Sequence, residues 1–296
     1  MTATVASLRR KIVGAGDLQS VVRTMKAVAA SSVAQFENSV SALGDYSRTV
    51  ELGLSVCFGR QGITAVLPQP PSASEQRMIG AVVFGTDQGL VGRFNDVVAD
   101  HAIKTLRQLP GKPQVWAVGE RVQSHLLDGG LKLLDVFPLP TSVAAITPLI
   151  GRLLQESESQ HGHSDATELH LIYNRPVSGA VYAPVSQRLL PLDTSWHREL
   201  AERDWPTKYL PEVFGDDITT LRALIREYLF VSLFRACAES LASENTSRLA
   251  AMQRADKNID ELLVDLNGNY HRLRQSSIDE ELFDVVSGFE AMSARD

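Results

Sequence analysis

The stretch Gly85-Thr86-Asp87-Gln88-Gly89-Leu90-Val91-Gly92-Arg93-Phe94-Asn95 has the make-up of an anion-binding loop. Glycines permit close approach of a phosphate, and a helix opening behind them turns its free N–H groups toward negative charge. The spacing fits neither standard nucleotide fingerprint. No Lys-Ser or Lys-Thr follows Gly92, and no acidic residue stands at the end of a second strand about twenty residues on. The stretch reads as a structural or interaction turn, with nucleotide or dinucleotide binding as the competing reading. His161-Gly162-His163 with Asp165 has metal-ligating side chains, but Ser, Gly and Glu surround it and no helix fixes its geometry, so it reads as a solvated loop. His170 and His271 read as packing or surface residues, and Asp279-Glu280-Glu281 as a solvated face. Cys57 and Cys237 stand far apart, which fits a reducing compartment and provides no disulfide or zinc framework. No catalytic constellation emerges. The reading is an interaction protein rather than an enzyme, with no metal and no cofactor.

The elements that position these residues follow from the prolines. All thirteen lie between Pro68 and Pro211. Proline breaks helix interiors, so the two proline-free flanks predict long terminal helices around an inserted domain. In the N-terminal flank, Leu18, Val22, Met25, Ala29, Val33, Phe36, Val40 and Leu43 recur at helical spacing and define one seam. Gly14 and Gly16, with Asp17 placed like an N-cap, predict a kink or short break. In the C-terminal flank the seam runs Leu224, Tyr228, Val231, Phe234, Ala238, Leu241, Asn245, Leu249, Met252, Asp256, Ile259, Leu263, Leu266, Tyr270 and Leu273. Its spacing is close to the heptad value that winds helices into a left-handed coiled coil. A helix from Thr220 to Met292 would run roughly 110 Å, so part of it needs cover or stands in solvent. Asn245 and Asp256 interrupt the seam, either as register-setting polar positions or as contacts to a partner.

Between the flanks the pattern alternates. Strands are expected at Met78–Phe84, Gln114–Val118, Leu131–Phe137 and Glu168–Asn174, with an edge strand at Tyr182–Leu190. Helices are expected from Asn95 to Leu109, Glu120 to Leu127 and Val143 to Glu158. Such alternation implies a largely parallel sheet covered on both faces. Pro68, Pro70 and Pro71 mark its entrance, and Pro206 and Pro211 its exit.

Composition agrees. Of the 296 residues, 44% are hydrophobic, enough for a sizeable core, and the 6% of aromatics favours helix-rich packing. A net charge of −6 speaks against nucleic acid. No signal-peptide pattern follows Arg9, Arg10 and Lys11, and no apolar run reaches membrane-spanning length. The chain is expected to be soluble or peripheral to a membrane.

Three segments together resemble the gamma subunit of F-type ATP synthases. They are Thr24-Met25-Lys26-Ala27-Val28-Ala29-Ala30; Thr86–Asn95; and Glu239-Ser240-Leu241-Ala242-Ser243-Glu244 continuing through Arg248, Met252, Asn258, Tyr270, Arg274-Gln275-Ser276-Ser277-Ile278, Glu281 and Val286-Ser287-Gly288. The resemblance spans nearly the whole chain. It implies an α/β fold in which residues 1–67 and 212–296 form an antiparallel, left-handed coiled coil and residues 68–211 an inserted Rossmann-like domain. It implies a central-stalk rotor, one copy per complex, with alpha, beta and epsilon subunits and the membrane c-ring as partners. Ion-driven rotation (proton or sodium) would be coupled to nucleotide chemistry on the beta subunits. The location implied is the cytoplasmic face of a bacterial plasma membrane. Met25, Lys26, Arg248, Arg274 and Gln275 match beta-contact positions, and Tyr209 a foot near the c-ring and epsilon. The basic residues Arg9, Arg10, Lys11, Arg23 and Lys26 would face acidic beta loops. The chain departs from the family pattern at Ser31-Ser32-Val33, Val91, Arg93, Gly268, Asp279, Gly14 and Gly16, which marks a divergent branch. A stand-alone nucleotide enzyme and a generic coiled-coil scaffold are the alternatives.

Overall fold

The computed structural model describes residues 4–59, 78–161, 167–177, 180–192, 194–202, 205–209, 212 and 216–293. The entrance prolines, Pro211, His163 and Asp165 lie outside them.

Both flanks are helical. Helix α1 spans Val5–Gly59 and passes through Gly14 and Gly16 without the expected break, leaving Asp17 inside the helix. Glycine lowers helix propensity but, unlike proline, removes no backbone donor. Ala15, Val22 and Met25 pack on the facing helix and hold the segment helical.

The middle begins with strand β1 (Met78–Phe84), helix α2 (Phe94–Arg107), strand β2 (Lys112–Val118) and helix α3 (Glu120–Asp128). Strand β3 (Lys132–Phe137), helix α4 (Val143–His161) and strands β4 (Thr167–Val177) and β5 (Ala180–Leu190) follow. Helix α5 (Thr194–Ala201) precedes helix α6 (Asp217–Ser293). The Asp216 carboxylate opens α6 by accepting from the Thr219 backbone N–H at 3.0 Å and its hydroxyl at 2.8 Å, an N-cap interaction.

The strands form one sheet in the order β3-β2-β1-β4-β5, parallel except for β5, which runs antiparallel at the edge. Alternation along β1 sends Val82 and Phe84 to one face and Ile79, Ala81 and Val83 to the other. The first face is covered by α4, α6 and Phe36 of α1. The second is covered by α2 and α3.

The chain divides into two compact units, Met1–Ala29 with Leu249–Asp296, and Ala30–Arg248. Within each unit α1 and α6 are antiparallel. In the first, Gln19 reaches Asp260 while Lys26 reaches Asp256. In the second, Tyr46 bonds Glu227 while Gly53 lies against Leu224.

Every expected seam position from Leu224 to Leu273 is buried or half-buried. In α1 the seam departs from expectation at one place. Leu18 is 54% exposed and Gln19 takes the inward position. The Gln19 amide has a partner there, since it donates to Asp256 and Asp260, so a polar side chain satisfies the position that the apolar pattern assigned to leucine. Two further features were not legible in the sequence. Residues 236–245 of α6 are buried on every side rather than along one stripe. Helix α5 buries Leu200 among Val50, Leu54, Phe58 and Leu221, with Trp196 beside them.

Candidate subunit-contact surfaces

The glycine turn between β1 and α2 is held by its own side chains. The Thr86 N–H donates to Asn95 Oδ1 and Asn95 Nδ2 donates to Thr86 Oγ1, both at 2.9 Å. A Cβ on Gly85 would stand 2.4 Å from Cβ of Val122, so only glycine fits against α3. The Asp87 carboxylate accepts from the Glu120 N–H at 2.9 Å and the Leu139 N–H at 2.8 Å. The first of these is the opening N–H of α3, where a helix dipole attracts an anion. Asp87 thus ties the turn to the start of α3, while the helix that the turn itself opens is α2, whose N-cap residue Arg93 makes no side-chain capping bond.

Open α/β sheets bind ligands in the crevice beyond the carboxyl ends of their strands, where the strand order switches direction. Here the switch lies between β1 and β4. Fully buried Asn174, near the end of β4, donates across to the Phe94 carbonyl at 3.0 Å. Helix α6 bonds to both strand ends. Ser247 Oγ donates to the Val91 carbonyl at 2.7 Å, in the turn after β1. Glu239 Oε2 accepts from Tyr173 Oη at 2.8 Å and from Arg175 Nε at 2.9 Å, both on β4. Arg235, one turn earlier on α6, holds Glu239 Oε1 at 2.8 Å. Burial pushes the Glu239 carboxyl up, but the donors from Arg235, Tyr173 and Arg175 outweigh it and hold it below the usual carboxylate range. The same burial and the neighbouring Glu239 charge push the Tyr173 phenol up to about 12.

A second buried ion pair follows on α6. Arg248 donates to Glu244 at 2.6 Å and to Asn245 Oδ1 at 3.1 Å, and is 8% exposed. Its Nε has no partner among the described residues. Burial, with a smaller push from Asp87, raises the Glu244 carboxyl despite Arg248.

In the first unit Asp256 is the polar centre of the seam. It receives Arg23 Nε at 3.2 Å, Lys26 Nζ at 3.4 Å and Gln19 Nε2 at 3.3 Å. Asp256 therefore sets register between the two helices. Asn245 acts within its own helix, donating to the Leu241 carbonyl at 2.8 Å while accepting from Arg248.

The positions singled out from sequence fall into three groups. Met25 and Lys26 lie on the α1–α6 seam, Met25 beside Val22, Met252 and Ile259. Arg23 and Lys26, expected to face acidic beta loops, also bond Asp256 of the facing helix, with 59% and 40% of their side chains still exposed. Arg248 is engaged inside α6. Arg274, Gln275 and Tyr209 are exposed. His170 is buried on β4 with Glu168 Oε2 at 3.1 Å. Gln19, Tyr173 and Arg175 had no assigned role. Alternation on β4 places Tyr173 and Arg175 on one face, and Glu239 is a charge on the helix covering that face, so the signal was present but needed the pairing of the two elements.

These features define a class: two long antiparallel terminal helices with an α/β domain whose sheet is covered on one face by one of those helices. The family model described as ATP synthase (ATP-synt) matches residues 4–292, so the chain belongs to that family. Its relatives place it with the gamma chains of the central stalk, which are not catalytic subunits. It is similar to the ATP synthase gamma chain of Leifsonia xyli subsp. xyli (strain CTCB07), 27% identical over 302 residues, covering 99% of each chain. It is 26% identical over 294 residues to that of Pasteurella multocida (strain Pm70), covering 98% of this chain and 100% of the relative. Two solved assemblies share the fold. A chain of the Euglena gracilis mitochondrial ATP synthase (OSCP/F1/c-ring) matches with TM-score 0.62 and 14% identity, covering 98% of this chain and 95% of that one. A chain of the Tetrahymena thermophila mitochondrial ATP synthase central stalk/c-ring matches with TM-score 0.57 and 20% identity, covering 79% and 99%.

Proposed function

We propose that this chain couples ion-driven rotation of a membrane c-ring to conformational change at catalytic beta subunits. Residues 1–67 and 212–296 serve as the shaft and residues 68–211 as the foot domain. One observation carries the reading. Toward its end α6 exposes Val264, Leu262, Ile278, Leu282, Phe283, Val285 and Val286, each 46% exposed or more. Apolar surface concentrated on one helix calls for a partner, and a ring of alpha and beta subunits supplies it. The described helices include none long and apolar enough to cross a membrane, so attachment runs through the c-ring and epsilon at the foot, where Tyr209 is 86% exposed. The host membrane is a bacterial plasma membrane, with the chain on its cytoplasmic face.

Arg274 and Gln275 act as beta contacts near the shaft tip, Met25 and Lys26 contribute along its length, and Arg248 joins them on giving up its buried bond to Glu244. An asymmetric axle biases each catalytic subunit by differential contact, which is a population shift. Charge-assisted contacts of ~1.5–3 kcal/mol are large enough to favour one conformation. The test is co-assembly with alpha and beta subunits, then Arg274→Ala with Gln275→Ala. Single-site nucleotide binding on beta should persist while steady-state hydrolysis and ion-driven synthesis fall. Unchanged rates in the double variant would remove the contact role. Failure of the parent chain to assemble would remove the rotor reading.

A further inference from the structure

We propose that Glu239, gripped by Tyr173 and Arg175, is the torsional latch that fixes helix α6 to the α/β domain and carries torque between them. The inference rests on the rotor reading above. Torque crossing from a foot domain to a shaft helix needs a contact that resists rotation of the helix about its axis. A single covalent connection swivels, and each end of the sheet-bearing segment joins its helix by one chain only. The packed contact must therefore bear the load.

That contact is apolar and mostly small: Leu233, Phe234 and Leu241 pack in the sheet-face cluster, while Ala236, Cys237, Ala238, Ser240, Ala242 and Ser243 fill the other buried positions from 236 to 243 beside Glu239. Small side chains allow close approach but project little into the sheet, and apolar burial is non-directional. Hydrogen bonds are directional, and those reaching a buried charge are the strong ones. Ser247 Oγ crosses to the neutral Val91 carbonyl at 2.7 Å, and Glu239 brings a buried charge to the crossing. Its Oε2 takes two donors from β4, the Tyr173 hydroxyl and Arg175 Nε. Arg175 also holds the Tyr173 oxygen through Nη2 at 2.6 Å and Nε at 3.1 Å, so the donors brace each other. Tyr173 is 1% and Glu239 7% exposed, which shields their bond from water, while the Arg175 side chain is 42% exposed. The remaining bond, from Arg235, lies within α6 and crosses nothing.

The experiment uses the complete complex reconstituted in vesicles with the parent chain, Glu239→Gln, Tyr173→Phe or Arg235→Ala. Ions pumped per ATP hydrolysed are read against a preset opposing gradient, and hydrolysis is read without one. Tyr173→Phe keeps the ring and its packing, so it separates the latch from folding. For Glu239→Gln and Tyr173→Phe the pumping ratio should fall at least about threefold under load while unloaded hydrolysis stays within about twofold. Arg235→Ala should keep the parent ratio. An unchanged ratio in Tyr173→Phe and Glu239→Gln overturns the latch. So does loss of assembly in both, which would show a folding role, or an equal fall in Arg235→Ala, which would show a general effect of the carboxylate's surroundings. A parent complex that hydrolyses ATP without pumping would instead defeat the rotor reading on which the latch rests.

Discussion

Replacing Arg248 by alanine isolates the energetics of the buried pair on α6. The change removes a charge-assisted bond to Glu244 and a bond to Asn245. Both are donated by a charged guanidinium, and each contributes about 1.5–3 kcal/mol. Glu244 is left buried without its cation, and breaking buried pairs one-sidedly costs about 3–5 kcal/mol. We expect a loss of about 3 kcal/mol near pH 7. All three tryptophans, Trp116, Trp196 and Trp205, lie in the unit containing Arg248. Urea unfolding followed by tryptophan emission therefore reads the right transition. The pH dependence has a definite sign. The folded-state pKa of Glu244 lies above its ordinary 4.5, so the folded state binds this proton more readily than the unfolded chain. Its contribution to stability falls as pH rises through that raised value. Without Arg248 the pKa rises further, and the deficit should shrink as pH is lowered from 7 toward 5. A loss under about 1 kcal/mol, or a deficit that grows on acidification, would refute the buried-pair argument. Glu244→Met combined with Arg248→Leu provides a check, since replacing both charges by apolar groups should be near neutral or stabilising.

The carboxylate at Glu239 predicts the opposite slope. Its folded pKa lies below the ordinary 4.5, so its stabilisation is complete above that pH and is lost as pH falls through the folded value. Glu239→Gln should flatten the fall in urea midpoint between pH 6 and 3, and equal slopes in parent and variant would contradict the network. Asp87→Ala leaves the Glu120 and Leu139 N–H groups without their acceptor, and should cost about 1–3 kcal/mol. Calorimetric titration with ATP should detect no binding before or after that change, whereas micromolar binding abolished by it would reinstate the nucleotide reading. Gly14→Ala and Gly268→Ala should each stabilise by about 1 kcal/mol, because a Cβ at either position meets nothing within 4 Å. Destabilisation by either in urea unfolding would contradict its helix-interior placement.

Much of this protein was legible locally. The proline distribution announced the two helices, because a missing donor and a ring clash act on the chain itself. The three-and-four spacing of the α6 seam predicted burial at every named position, since one helix face must find cover. The middle strands and helices appeared close to their expected bounds, because alternation and glycine placement are local signals too. The rest depended on which elements meet. Gln19 displaced Leu18 from the seam because Asp256 and Asp260 lie on the facing helix, and a polar side chain is buried cheaply only where a partner waits. Arg23 and Lys26 also bond Asp256 on the facing helix, a pairing that depends on which helix faces α1. The glycine turn resembles an anion loop in sequence, and only the fold brings Asp87 to the opening N–H of α3 and Asn95 back onto Thr86. Glu239 stands more than sixty residues from both Tyr173 and Arg175. Nothing in their spacing pairs them, since a bond across elements is decided by the packing of helix on sheet and by the burial that makes each unpaired charge costly.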